Sequence, residues 1–288
     1  MNHRKSLAAA IILIGATSLL LAQPAGQATP AQQAAPPAAA APPAQPVSTT
    51  PVAVQPQAKS KEEAEAVTAL VQAAQSPDPD ARIKAADNLW RQFPSSEFKP
   101  LALFFLTASY AEKNDEAQTV TYGEMTIKED PGNYQAMLLL SRLIAARTRE
   151  NDLDKEERLT KAEKYASDAL EVLKTAPRPN PVITDEQWAA AKRTFSGQAY
   201  EAFAFVALAR NKPDVAVDQF NKALEITPGE PTTMIRLGNA LAKAGKYDEA
   251  MSVLQKVMDM PELPANVKQI AQAERARAFQ AKEQASKK

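Results

Sequence analysis

The chain has 288 residues, no cysteine, one histidine, and equal numbers of Lys+Arg and Asp+Glu, 34 of each. That balance leaves no electrostatic footprint for nucleic acid. The one histidine is His3, so the rest of the chain lacks the residues for Ser-His-Asp or Cys-His catalysis and for the usual zinc sites. No enzyme activity, cofactor, metal or disulfide framework is expected.

Residues 1–28 read as a secretory signal peptide. Arg4 and Lys5 precede an apolar run over residues 7–22, broken only by Gly15, Thr17 and Ser18. Gln23-Pro24-Ala25-Gly26-Gln27-Ala28 then offers a small-residue cleavage site. An uncleaved anchor is the alternative, but the run falls short of the ~20 residues that span a bilayer. Residues 29–58 are rich in Ala, Pro and Gln and carry no charge. Proline removes a helical N–H and clashes with the previous turn, so this segment is predicted to be a disordered, extended tether. It would serve as a spacer or be a merely tolerated arm.

From Lys59 onward, Ala-rich amphipathic segments alternate with short Pro, Gly and Asn turns, which predicts an all-helical domain. Ser60-Lys61-Glu62-Glu63 and Thr184-Asp185-Glu186-Gln187 read as capping boxes. Asp78-Pro79 places a cap before a proline suited to the first helical position. Residues 176–181 hold three prolines and form a non-helical link that could divide the array, with one long helix following it. Residues 265–288 look like a final helix, whose Val267, Ile270, Ala271 and Phe279 supply a partial apolar stripe.

The most informative feature is a 34-residue echo. With Gly197 and Pro231 as first positions, Tyr200, Phe203, Ala204 and Ala207 match Met234, Leu237, Gly238 and Leu241 at positions 4, 7, 8 and 11. Ala216, Phe220 and Ala223 match Ala250, Leu254 and Val257 at positions 20, 24 and 27, and Pro228 and Pro261 close the units. Each unit would be a pair of helices with one apolar stripe apiece, and small residues would let the two backbones approach closely. A single hairpin cannot bury its face, so hairpins must stack. Upstream the register weakens. A unit at Pro100 supplies Leu103, Leu106, Thr107 and Tyr110, but has Gly123 where a large residue belongs. A unit at Tyr134 matches with Ala162, Ala166 and Ala169 only if residues are inserted between Arg147 and Arg158. A first unit at Ala66 has a poor first helix, broken by Pro77 and Pro79.

These residues resemble the tetratricopeptide repeat (TPR) family, whose pattern places large side chains at positions 4, 7, 11 and 24 and small ones at 8, 20 and 27. The resemblance implies an all-α fold: a right-handed superhelical array of antiparallel helix hairpins, an α-solenoid. The expected parts are a signal peptide (1–28), a linker (29–58), degenerate hairpins (59–176), well-matched hairpins (177–264) and a capping helix (265–288). In this family the first helices line a concave groove that holds a protein or peptide. Carried over, the groove residues are Phe104, Leu138, Arg142, Gln198, Glu201, Phe205, Ile235, Asn239 and Lys243. Asn239 carries an amide able to make a two-point hydrogen bond to a peptide backbone. Phe104 and Phe205 could instead pack against neighbouring hairpins.

The acids Asp152, Asp154, Glu156 and Glu157 interleave with Arg149, Lys155 and Arg158, which reads as a solvated loop rather than a carboxylate pair for hydrolysis. Trp90 and Trp188 read as packing residues. The expectation is therefore an exported scaffold or adaptor that binds a protein or peptide in the bacterial cell envelope. A self-associating structural envelope protein is the alternative, and a carboxylate-dependent hydrolase a distant one. No nucleic-acid partner is expected. Membrane contact would come only through the signal peptide or an uncleaved anchor, and the oligomeric state is open.

Overall fold

The computed structural model describes residues 50–287. The expected signal peptide and most of the expected tether lie outside the described residues. Within them are eleven α-helices: α1 (Lys61–Ala73), α2 (Pro79–Gln92), α3 (Lys99–Glu112), α4 (Glu116–Glu129), α5 (Tyr134–Arg147), α6 (Lys155–Thr175), α7 (Asp185–Ala209), α8 (Pro213–Ile226), α9 (Pro231–Lys243), α10 (Tyr247–Met258) and α11 (Ala265–Ala285). Consecutive helices pair into five hairpins, α1/α2 to α9/α10, and α11 packs on α9 and α10. No strand forms among the described residues beyond one isolated parallel bridge between Val52 and Arg178.

Local chemistry sets the helix ends. The Thr184 hydroxyl accepts from the Gln187 amide while the Gln187 side chain accepts from the Thr184 N–H, a complete capping box. Ser60 accepts from the Glu63 amide at 3.1 Å, but the Glu63 carboxylate reaches the Lys59 N–H instead of closing the box. Asp78 caps α2 ahead of Pro79. The turns inside the hairpins share one device. Asn114 (φ 57), Asn211 (φ 55) and Gly245 (φ 78) take the left-handed conformation at the same place in three units. Asn and Gly tolerate that region best. The third unit departs there: Thr148 is extended (ψ 122), and residues 149–154 are inserted before α6 begins.

The hairpins close on small residues. Ala162, Ala166 and Ala169 of α6 are all fully buried, as are Ala102, Ala136 and Ala202 on the first helices. The unit with Gly123 on its second helix shows how the pattern adapts. A Cβ at Gly123 would meet the Leu140 side chain at 2.7–2.9 Å. Leu140 of α5 therefore fills the space that a large residue on α4 would otherwise occupy. In the fifth unit, Leu254 of α10 stands 2.6 Å from where a Cβ on Gly238 would be. Both contacts pair one glycine with one fully buried leucine.

Three expectations are corrected. The proline-rich link does not divide the core. Met137 and Leu138 of α5, Ala166 and Ala169 of α6, and Ala199 and Ala202 of α7 form one cluster across it. The link is itself packed: Trp188 is buried and donates to the Ala176 carbonyl at 3.1 Å, and the Asn180 side chain accepts from the amides of Val182 and Ile183. The cap is made by Ala271 and Ala278, both buried, while Ile270 and Phe279 stay 51% and 53% exposed. Alanine spaced by two turns lets α11 lie close, and bulkier residues beside it turn outward. The first hairpin is complete but begins at Lys61 rather than Ala66, burying Val67, Leu70, Ala86 and Leu89.

A coupled substitution tests the small-against-large rule. Gly123→Ala should lower stability by about 1–3 kcal/mol, because Leu140 cannot leave its buried site. Leu140→Ala should cost about 2–5 kcal/mol through the cavity it leaves. In the double variant the new methyl group occupies part of that cavity, so urea denaturation should show a loss smaller than the sum. Strict additivity would refute the contact.

Candidate concave interface

The first helices α3, α5, α7 and α9 carry the predicted groove residues, and the structure sorts these into two groups. Leu138 is 4% exposed and belongs to the cluster that joins α5 to α7. Ile235 packs on the cluster of Leu254, Val257 and Ala271. Both serve the core, because neighbouring first helices and α11 approach closely enough to cover them. Phe104 is likewise 7% exposed, though its edge lines a cleft described below. Leu138 and Ile235 are therefore packing residues, and Phe104 offers only its edge. Asn239 is already engaged, its amide donating to the Glu274 carboxylate of α11 at 3.5 Å. Gln198 is half-buried, and Lys243 is exposed at the end of α9.

The second group forms a polar cluster where α7 faces α9. Glu201 is buried and binds the Arg236 guanidinium and the Thr233 hydroxyl. The Thr233 hydroxyl is shared with Glu230, which also caps α9 by accepting from the Thr233 amide. Arg236 lies 5.3 Å above the Phe205 ring, a cation–π contact. Phe205 in turn meets Phe220 edge-on at 5.9 Å. Half-buried Phe205 thus packs against its neighbours and leaves the remainder uncovered. Sequence reasoning missed Arg236 and Thr233. The signal was available: both sit one turn or less from Ile235, on the side of α9 facing Glu201.

Arg142 of α5 completes the cluster. The residue reaches water, yet the protein around its guanidinium displaces much of the bulk solvent. Burial, then the like charge of Arg236, lower its proton affinity below the usual arginine range, and Glu201 opposes them. The cluster therefore holds two guanidinium groups and two carboxylates: Glu201 binds Arg236 and the Thr233 hydroxyl, Glu230 binds the Thr233 amide and hydroxyl, and neither makes an ion pair with Arg142. Arg142 has no ion-pair partner of its own among the described residues, whereas Arg82 has Glu112 and Arg158 has Glu116.

A second feature lies toward the N-terminus. A cleft of about 440 Å³ runs between residues 53–56 and the N-terminal ends of α3 and α5, where Leu101, Phe104 and Gln135 line it. Residues 50–57 fall inside the expected disordered tether, and here that expectation is corrected. Arg178 donates its N–H to the Pro51 carbonyl and accepts from the Ala53 N–H, both at 2.7 Å. Gln55 donates to the Pro179 carbonyl at 2.8 Å, and the Gln57 amide donates to Glu97. The reason is the link: Pro177 and Pro179 have no N–H, so the buried peptide groups of Arg178 need a partner from elsewhere.

Among the described residues, no group of His, Cys, Asp or Glu is arranged to hold a metal ion, and no helix is long and apolar enough to cross a membrane. Two of the acids of the third-unit insertion, Asp152 and Glu156, are engaged at the surface. Glu156 and Glu163 bind Arg210, and Asp152 accepts from the Arg149 amide.

Residues 207–270 match the tetratricopeptide repeat family model. The crystal structure of a thermophilic TPR protein from Thermus thermophilus superposes with a TM-score of 0.51 at 18% identity, covering 76% of this chain and 98% of that one. A MamA RS-1 double mutant gives 0.44 at 17% identity, covering 70% and 96%. No curated protein matches the chain. The fold is that of TPR proteins.

Glu201 holds this interface together. Glu201→Ala should lower stability by about 2–4 kcal/mol, since it leaves the Arg236 guanidinium without its carboxylate, while the Thr233 hydroxyl keeps Glu230. Glu201→Gln, which keeps an acceptor, should cost roughly half as much. Equal melting of the two variants in urea would show that the charge is irrelevant.

Proposed function

We propose that this chain is an exported scaffold or adaptor that holds a protein or peptide partner in the bacterial cell envelope and catalyses no reaction. TPR-like folds are generally protein-interaction scaffolds. The observation that carries the reading is Arg142, a guanidinium in the concavity with no carboxylate of its own among the described residues, beside a second guanidinium and an aromatic face. Such a surface offers a charged hydrogen-bond donor and a stacking plane to an incoming chain. Export rests on the N-terminal pattern: the basic pair Arg4 and Lys5, the apolar run and the small residues near Ala28.

Self-association has weaker support. Ile270 and Phe279 are the exposed apolar residues of α11, but their spacing puts them on opposite sides of the helix. They form no continuous patch.

The test uses the full chain, immobilised and exposed to a solubilised envelope extract, beside Arg142→Glu. This substitution lies on an exposed side chain, so helicity by circular dichroism should not change. A partner retained by the wild type should bind the variant at least ~10-fold more weakly, because the substitution removes a charge-assisted hydrogen bond and puts a repelling charge in its place. Equal retention would remove the concave assignment. In cells, Leu13→Asp should keep the chain in the cytoplasm, and unchanged fractionation would remove the export assignment.

A further inference from the structure

The segment over residues 50–57 has two edges, and only one is used. Backbone groups of successive residues in an extended chain point to opposite sides. Pro51 and Ala53 turn theirs toward Arg178. The N–H and C=O groups of Val52 and Val54 face the other way and make no hydrogen bond among the described residues. Val54 is 96% exposed. A short segment held by one bridge, with free and uncharged backbone groups on its other side, is a template for pairing with another chain.

Residues 53–56 of that segment form one wall of the cleft of about 440 Å³, and Val54 is the free-edge residue that lines it. The opposite wall is apolar, from Pro100, Leu101 and Phe104 of α3. At the rim stand Glu97 and Asp130, and no lysine or arginine lines the cleft. Glu97 accepts from the Gln57 amide, and Asp130 accepts from the Gly132 amide and the Asn133 side chain. Neither carboxylate has an ion-pair partner among the described residues, unlike Glu129 close by, which binds Lys99. The cleft thus combines a hydrogen-bonding edge, an apolar face and uncompensated negative charge.

We propose that this cleft is a docking slot for an extended peptide that carries a lysine or arginine between small apolar residues. The peptide pairs in extended form with the free backbone groups of Val54. Its apolar side chains lie on Leu101 and Phe104, and its cation meets Glu97 and Asp130. Main-chain pairing supplies affinity, and the side-chain positions supply selectivity. The chain's own residues 50–57 become the central strand of a three-part layer: link, arm and partner. The proposal rests on the reading of the protein as a peptide scaffold, but uses a place separate from the Arg142 cluster.

The experiment is fluorescence anisotropy on the full chain with a labelled peptide, Thr-Val-Lys-Val-Thr-Val, and a matched peptide with Glu in place of Lys. The lysine peptide should bind and the glutamate peptide should not. Val54→Pro removes one free-edge donor and leaves both Arg178 bonds intact. It should weaken the lysine peptide by roughly tenfold or more, as removing one good hydrogen bond does when proline also blocks the edge. Slow hydrogen exchange at the Arg178 amide should persist in that variant, showing that the arm is still in place. If the arm is released instead, the double variant Glu97→Gln with Asp130→Asn decides. It should weaken the lysine peptide by about tenfold and erase the preference over glutamate. No binding to the wild type, equal binding of the two peptides, or full affinity in both variants would overturn the proposal. Arg142→Glu should leave this peptide's affinity unchanged. Failure here with partner capture still sensitive to Arg142 would sink the slot alone.

Discussion

Everything in this array depends on a close contact between something very small and something large on facing helices. Leucine lies against Gly123 and against Gly238, within the distance at which even one added methyl group would collide. Where no glycine is present, buried alanines do the same, along α6 and again at the α11 cap. Close approach lets two helices share a dry interface, and stacking extends that interface from one hairpin to the next. The contact does not require the small residue to sit on a fixed helix. In the second unit the glycine is on the second helix, and the leucine comes from the first helix of the next hairpin.

Turn geometry and surface charge then hold the hairpins in register. Left-handed residues at Asn114, Asn211 and Gly245 reverse the chain in few residues. Across the outer edge, Lys113 pairs with Asp80, Lys246 with Asp214 and Lys282 with Asp248. Each pair joins the first turn of a second helix to the following hairpin or cap. Exposed pairs of this kind contribute little free energy, so their effect is to favour one stacking register over a slipped one. Side chains that stack apolar faces could slide; a repeated charge pattern disfavours the slide.

The concave side is where packing gives way to polar contact. Between α7 and α9 the bridge is made by Glu201, Arg236 and Thr233 rather than by apolar side chains. This arrangement leaves Phe205 partly uncovered and Arg142 without an ion-pair partner of its own among the described residues. Toward the N-terminus, the arm meets the proline-rich link because a proline-flanked peptide group, once buried, must find its hydrogen bonds outside its own segment. The two ends of the concave side therefore differ in chemistry: one is cationic and aromatic, the other acidic and strand-like.

The repeat was legible in the sequence because its period is a property of single helices. Spacing of Phe203, Ala204, Phe220 and Ala223 against Leu237, Gly238, Leu254 and Val257 already places two stripes per hairpin. Capping residues at Thr184 and Asp78 located helix starts for the same local reason. What the spacing could not decide was which groove positions stay open. Leu138 and Ile235 occupy the same repeat place as exposed residues would, and only the approach of α7 and α11 buries the first and partly covers the second. Nor could composition show that residues 50–57 are bound, since their partner is the Arg178 peptide group, brought near by the stacking of three hairpins. Local pattern determined the helices and their faces; the distance between helices, which is a tertiary quantity, decided what those faces could still touch.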